Sequence, residues 1–568
     1  MVRWTFSTKN AFLVRFVFNF IKLLDICFQD VIINLISIYI IKYNKRKEEM
    51  TMSEQTKVSM SVLDGTPLTI SPDERVLVNS NLRMTIFCVE ELRRVFLKSN
   101  LSITKVEYAL RSLDGETILA GEKVFEEQPK YDYSLSEVLP LDEMVQYERS
   151  EPPFYLLSVD TTVESGKVLK GAYSWAGSLV QGYETTVCPW TNMKERLAAI
   201  PMARPDMTED ELRQICVDFI DLQSEFPYML PYEVNGYVSS QKKDRILRTG
   251  IVHAGTPYIT VGSGSLYRIA EFYDEKTGMI SEDADYLKNA RLFGNACSGS
   301  AAIAWSRVVN SAQLGYTMHM CASRGCIPLG DIKYDFSIQG FVSKKKNPDG
   351  WSCRRVCDEN GEQVMFEAYA LTKPADGAVN DGHVRMFTKR PTVVRNEDGT
   401  INGDESYVIM GEQVCYTANP NHIRIAPDGS HYIAQGCVNI KYSFKNLFDT
   451  GYIPYTFAEL IGTKKVDLAE VWVSEKKDEY TAENIASLTV SGNYNVSDVF
   501  LNVTDDAGNV VYKYVYRSLE FFYRNIDLSK VLPEAVKEKL AELKGNTLSI
   551  DVQLYNGAKL NALTTVIA

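Results

Sequence analysis

Hydrophobic and polar positions alternate along two long stretches of this chain and recur at helical spacing in the stretch between them. Residues 53 to about 190 are mainly of the alternating kind. There, KVEYALRSLDGETILAGEKVF carries Val106, Tyr108 and Leu110 on one face before Asp114-Gly115, a pattern that predicts a hairpin. FYLLSVDTTVESGKVLKGAYSWAG continues in the same manner. From about 449 to 568 the alternation returns. VFLNVTDDAGNVVYKYVY places Val499, Leu501 and Val503 on one face, turns at Gly508, and comes back through Tyr512, Tyr514 and Tyr516. One helix interrupts this stretch, PEAVKEKLAELKG, with Pro533 near its first turn and Gly545 at its stop. Short alternating strands bounded by turn signals predict β-sandwich (Ig-like) modules at both ends of the chain. Such flanks serve either as packing domains or as binding domains, and neither carries a catalytic constellation.

The middle, about 191 to 448, mixes the two periods. MTEDELRQICVDFIDLQSEF opens with Thr208 and Glu211 at capping-box spacing. Leu212, Ile215, Cys216, Phe219 and Ile220 then recur at helical spacing, which predicts a helix with Cys216 in its core face. The expected fold is therefore multi-domain, a central α+β unit flanked by β-sandwich modules, as suits 568 residues. Residues 1 to 52 differ from the rest. They are apolar, but Arg15, Lys22, Asp25 and Asp30 interrupt them, and the longest uncharged run near the end, VIINLISIYII, falls short of the roughly 20 residues that span a bilayer. No small-residue cleavage site follows. The segment reads either as an interfacial membrane anchor, with KYNKRK as its basic end, or as translated upstream sequence before a natural start at Met50 or Met52. The second reading is preferred.

Composition narrows the partners. A net charge of -12 argues against nucleic acid, because phosphate binding needs clustered Lys and Arg. Eleven cysteines without a framework spacing suggest reduced thiols. Only five histidines are available as catalytic bases: His253, His319, His383, His422 and His431.

One cysteine stands apart. In LFGNACSGSAAIAWSRVV, Cys297 precedes a run whose apolar positions Ala301, Trp305, Val308 and Val309 fall on one helical face. A thiol at a helix N-terminus ionises more easily, because unpaired backbone N–H groups and the helix dipole favour the thiolate. The same N–H groups can serve an oxyanion. Among the histidines, His383 fits best as its partner. In NDGHVRMFTK a turn leads into an alternating strand with His383, Arg385 and Phe387 on one face. The chain runs on through PTVV, turns at NEDGTINGDES and returns as YVIMGEQV, which brings Glu412 or Gln413 beside the His383 strand. Either could orient the imidazole.

These residues resemble a known family. Cys297-Ser298-Gly299 opening a helix, followed by Gly382-His383-Val384 on a strand, is similar to the papain-like cysteine peptidases of the NlpC type and their CHAP relatives. GTPYITVG, from Gly255 to Gly262, resembles the motif of that family whose tyrosine, here Tyr258, lies near the cysteine. KPADGAV resembles its turn before the histidine, and ESYVIMGEQ its glutamate after the second hairpin strand. The resemblance covers about 250 to 415. It implies a papain-like catalytic domain over 191–448, with Cys297, His383 and Glu412 as triad and Tyr258 in support. It also implies hydrolysis of peptide amide bonds, with cell-wall peptides as the leading substrate class, and no cofactor. Two departures stand out: Ala296 replaces the usual Asp before the cysteine, and long insertions follow Tyr258 and precede His383. They leave open an inactive papain-like scaffold; a transglutaminase-type acyl transferase, which uses the same Cys and His chemistry, is the other alternative. Cys321, Cys326, Cys353 and Cys357 form two loose pairs whose spacing is wider than common zinc sites, so free thiols and no metal are expected.

Overall fold

The computed structural model describes two short strands at 58–61 and 67–70 and most of the chain beyond residue 91. Within 92–177 it omits 94–95, 100, 113–115, 128 and 145–154. Within 192–568 it omits 239–242, 248, 251, 260–261, 311–315, 332–359, 381, 414–422, 426–430, 435–436 and 476. The apolar segment 1–52, His422, Cys353 and Cys357 lie outside the described residues. The fold is mixed α and β, built on several mainly antiparallel sheets. No helix among the described residues is long and apolar enough to cross a membrane.

In the N-terminal part, two four-stranded sheets share one core that includes Leu97, Val106, Leu110, Tyr133, Leu157 and Val159. The expected hairpin forms, pairing Val106 with Lys123 and Tyr108 with Gly121.

The central unit is organised around three helices and one sheet. Helix α1, Glu209–Glu225, is set by its capping box: Thr208 Oγ1 accepts from Glu211 N, and the Glu211 carboxylate accepts from Thr208 N. A cap of this kind contributes about 1 kcal/mol. Its stripe of Leu212, Ile215, Cys216, Phe219 and Ile220 is buried as the periodicity predicts. Helix α2 is Leu266–Phe272, and helix α3 is Cys297–Trp305. Every residue of α3 is buried, so its small side chains let it lie inside the core instead of along its edge. Gln223 of α1 donates to Ser300 O of α3 at 3.0 Å, which locks the two helices together.

The sheet has six strands: β1 Cys326–Pro328, β2 Gly377–Val379, β3 Val384–Phe387, β4 Tyr407–Glu412, β5 Cys437–Ser443 and β6 Ile453–Phe457. Their order across the sheet is β1-β6-β2-β3-β4-β5. The Trp305 indole at the end of α3 donates to Ala375 O beside β2 at 2.7 Å, fixing helix to sheet. The hairpin read from the sequence is present, with Met386 opposite Gly411 and Phe387 opposite Met410. A boundary at 448/449 does not fit this sheet. β6 pairs with both β1 and β2, so residues 453–457 complete the central unit.

Beyond β6, a three-stranded and a four-stranded antiparallel sheet enclose a further core with the helix Glu534–Glu542. The hairpin expected over 499–516 pairs Val499 with Tyr516, Leu501 with Tyr514 and Val503 with Tyr512. This part is fastened to the segment that the sequence reading set aside as an insertion after Tyr258. Buried Arg268 of α2 binds Asp498 at 2.8 Å and also donates to Ser497 O and Ser518 O, while Arg517 reaches Glu271 and Asp285. The insertion is thus a docking element for the C-terminal sheets, a role invisible until those sheets are in place.

Candidate active site

The site lies where the start of α3 faces the start of β3. Two glycine loops bring Cys297 there. Ile259 N donates to Asn295 O and Asn295 N to Pro257 O, so the Tyr258 segment runs alongside the residues before the cysteine. The packing is backbone on backbone: a Cβ at Gly262 would meet Gly294 O at 1.9 Å, and one at Gly294 would meet Pro257 O at 2.5 Å. Asn295 Nδ2 closes the arrangement by donating to Gly264 O at 3.0 Å. Cys297 is therefore held from both sides before the helix begins. Tyr258 is half-buried, and its backbone bridges Asn295, two residues before the cysteine.

The turn before His383 is organised by Asn380, which the sequence reading passed over in favour of the adjacent Asp-Gly. Asn380 Oδ1 accepts from Gly382 N at 3.0 Å and from His383 N at 2.8 Å, an Asx turn. Its amide also donates to Thr450 O at 3.2 Å, tying the turn to the segment leading into β6.

His383 Nε2 meets Glu412 Oε2 at 2.5 Å, which leaves Nδ1 for the thiol. Of the two candidates at the end of β4, Glu412 is the one on the imidazole. Gln413 turns away and donates to Thr256 O. The pairing of β4 with β5 shifts register between Met410 and Glu412, a bulge of the kind that re-aims a side chain beside a site. Glu412 Oε2 also accepts from Arg385 Nε at 2.8 Å, and Oε1 accepts from the Tyr442 hydroxyl. The Arg385 guanidinium lies 3.7 Å from the Tyr442 ring centroid and 4.4 Å from that of Tyr452. Arg385, Tyr442, Tyr452 and Asn380 were not read as site residues from the sequence. Only Arg385 left a trace there, by sharing a strand face with His383; the tyrosines come from β5 and the start of β6, for which no local pattern exists.

The electrostatics are those of an ion pair. Burial alone would push the Cys297 thiol up, but the His383 charge, a hydrogen bond from His383 and the backbone N–H groups of Val384 and Ser298 outweigh it and bring it below its ordinary value. Burial alone would lower His383; Cys297 and Glu412 reverse that and raise it to about 9. Glu412 is buried, yet His383, Arg385 and Tyr442 hold it well below the usual carboxylate range. The array thus alternates groups biased toward opposite charges: a thiol shifted toward its thiolate, an imidazole toward its imidazolium, a carboxylate and a guanidinium. Cys297 is 5% exposed and the His383 side chain 21%, so the pair is shielded while the imidazole still reaches solvent.

The other histidines and cysteines with described side chains take no part. His253 is buried and stacked on Tyr228, and His319 packs against Tyr316. Cys216, Cys321 and Cys326 are buried and form no disulfide among the described residues. Among the described residues no group of His, Cys, Asp and Glu is arranged to hold a metal ion. No protein-family model and no curated protein matches this chain.

Proposed function

We propose that the protein is a cysteine hydrolase that cleaves a peptide amide bond through Cys297, His383 and Glu412. The observation that carries this reading is the buried Cys297–His383–Glu412 array, in which the imidazole bonds the carboxylate, the thiol is brought below its ordinary pKa and the imidazole is raised to about 9. A fold that needed only packing would not leave a polarised thiol, an imidazole and a carboxylate in contact, because buried ionic groups cost more than apolar ones of the same volume.

In the proposed reaction the Cys297 thiolate attacks the substrate carbonyl carbon. The carbonyl oxygen becomes an oxyanion, for which the first turn of α3 supplies backbone N–H groups without helical acceptors. The His383 imidazolium gives its proton to the leaving amine as the C–N bond breaks, and a thioester remains on Cys297. His383, now neutral, takes a proton from water, whose oxygen attacks the thioester and releases the acid and the thiolate. Glu412 holds the imidazole through Nε2 so that Nδ1 addresses both sulfur and amine. The finer architecture belongs to the same proposal: a papain-like core, with the nucleophile on a helix and the histidine and carboxylate on an antiparallel sheet, flanked by β-sandwich modules. Peptides, cell-wall peptides among them, are the proposed substrate class.

The test is limiting iodoacetamide on the full chain across pH, with the modified cysteine located by mass spectrometry in wild type and His383→Ala. Early, selective modification of Cys297 that weakens in the variant supports the reading. If Cys297 reacts no faster than the other thiols, or ignores His383, the enzyme reading fails and a non-catalytic scaffold replaces it.

A further inference from the structure

We infer that Arg385 is a positioning residue that shares the Glu412 carboxylate with His383, and so limits how tightly the imidazolium is held. The inference rests on the function proposed above and goes one residue further along the same array.

The sharing is geometric. A single oxygen, Glu412 Oε2, takes both His383 Nε2 and Arg385 Nε, while Oε1 takes the Tyr442 hydroxyl. Continuing the β3–β4 register from Met386 opposite Gly411, Arg385 stands directly across from Glu412, so the contact is built into the strand pairing. The guanidinium is also kept over the rings of Tyr442 and Tyr452, and its Nη1 is buried with no hydrogen-bond partner among the described residues. The Arg385 side chain is only 13% exposed. Burying a guanidinium with a donor unpaired is costly, and a strand needing only packing would carry an apolar side chain there. Here the cation is held in place by one carboxylate and two ring faces.

Its effect follows from charge. The imidazolium feels the attraction of the carboxylate and, opposing it, the repulsion of a guanidinium held on the same oxygen, so its net stabilisation is smaller than a carboxylate alone would give. His383 has to hold its proton in the resting pair and then give it to a leaving amine, and an imidazolium held too firmly is a poor acid. The groups facing Glu412 are His383, Arg385 and Tyr442, with Tyr452 close by, and Cys297 faces His383 from the other side of its ring. Among them Arg385 is the one whose charge does not titrate in the working range, so it sets a fixed offset on His383.

The test is an NMR titration of the His383 ring in the full chain. Arg385→Gln keeps a donor for Glu412 and removes the charge. The expected result is a His383 midpoint that moves upward, by about half a pH unit or more, together with slower turnover of a peptide substrate. Arg385→Lys keeps the charge and is expected to hold the midpoint near that of wild type. A folded Arg385→Gln protein whose midpoint stays or falls overturns the inference, since a residue that merely packed, or merely propped Glu412, would give that result. Should Arg385→Gln fail to fold, Arg385→Lys decides: a midpoint raised by half a pH unit with the charge retained overturns the inference equally. The two failures are distinguishable. If wild-type Cys297 is not selectively alkylated, the hydrolase reading falls and takes this inference with it. If wild type behaves as an activated pair and the Arg385 variants do not move His383, only the role of Arg385 is lost.

Discussion

Cys297 and Cys216 are both buried free thiols on helices that pack against each other, yet their environments drive them in opposite directions. Burial pushes Cys216 up to about 12, even with the charges of Arg307 and Arg213 pulling it down. Burial pushes Cys297 up as well, and there the opposing groups prevail. The difference is not the presence of positive charge, which both sulfurs have. It is contact. Cys216 lies in the middle of α1, where backbone N–H groups are engaged by helical carbonyls. Cys297 opens α3, where the Ser298 N–H is available, and faces the imidazole of His383 and the N–H of Val384. Two buried carboxylates repeat the lesson. Asp376 meets Arg213 at 2.8 Å and Glu412 meets Arg385 at 2.8 Å. Burial still leaves Asp376 above its ordinary value, whereas Glu412, which takes His383 and the Tyr442 hydroxyl besides, falls far below.

The contrast can be broken outright by removing His383. In His383→Ala, peptide hydrolysis is expected to fall by about 10³-fold or more, and alkylation of Cys297 to become as slow as that of Cys216. Stopped-flow alkylation with site assignment checks the second point independently of any substrate. Glu412→Gln is the next largest: turnover falls on the order of 10- to 100-fold, because the imidazole loses the partner that orients it.

The pH dependence of turnover follows from the same charges. Below the lowered pKa of Cys297 the thiol is protonated and no nucleophile exists. Above about 9, His383 has lost the proton that the leaving amine needs. Hydrolysis rates should therefore rise with pH through the thiol pKa, hold a plateau and fall as pH passes about 9. In Glu412→Gln the carboxylate that raises His383 is gone, so the alkaline limb should move down toward neutral pH; a limb that moves up contradicts the assignment. The smallest effect is expected at the other thiol. Cys216→Ala should leave the rate and its pH profile unchanged and cost about 1 kcal/mol of stability by chemical denaturation, as a small core truncation does.

Much of this site was legible in the sequence because it is made of local features. A cysteine at the start of a helix, a histidine at the start of a strand and a glutamate at the end of the returning strand each follow from short-range periodicity and turn residues. Hairpin pairing then fixes the separation of the last two. Asn380 was overlooked because Asp381-Gly382 is the stronger turn signal, although the Asn380 side chain is the one that accepts from the turn N–H groups. The end of the central unit was misjudged for a different reason. β6 joins the sheet between β1 and β2, and a strand added from far along the chain carries no mark of which sheet it will enter.

The elements can be read from the order of residues alone: the capped helix α1, the small-residue helix α3, the hairpin of β3 and β4, and the hairpins of both flanks. Those depend on spacing and on side chains within a few residues of one another. The fold is what puts Glu412 and not Gln413 on the imidazole, adds Arg385, Tyr442 and Tyr452 to the charge array, and gives the segment after Tyr258 its contact with the C-terminal sheets through Arg268 and Asp498. The physical reason is that such contacts join residues far apart in the chain, and that a thiol or carboxylate takes its charge state from the donors and charges packed around it, which the folded backbone alone brings together.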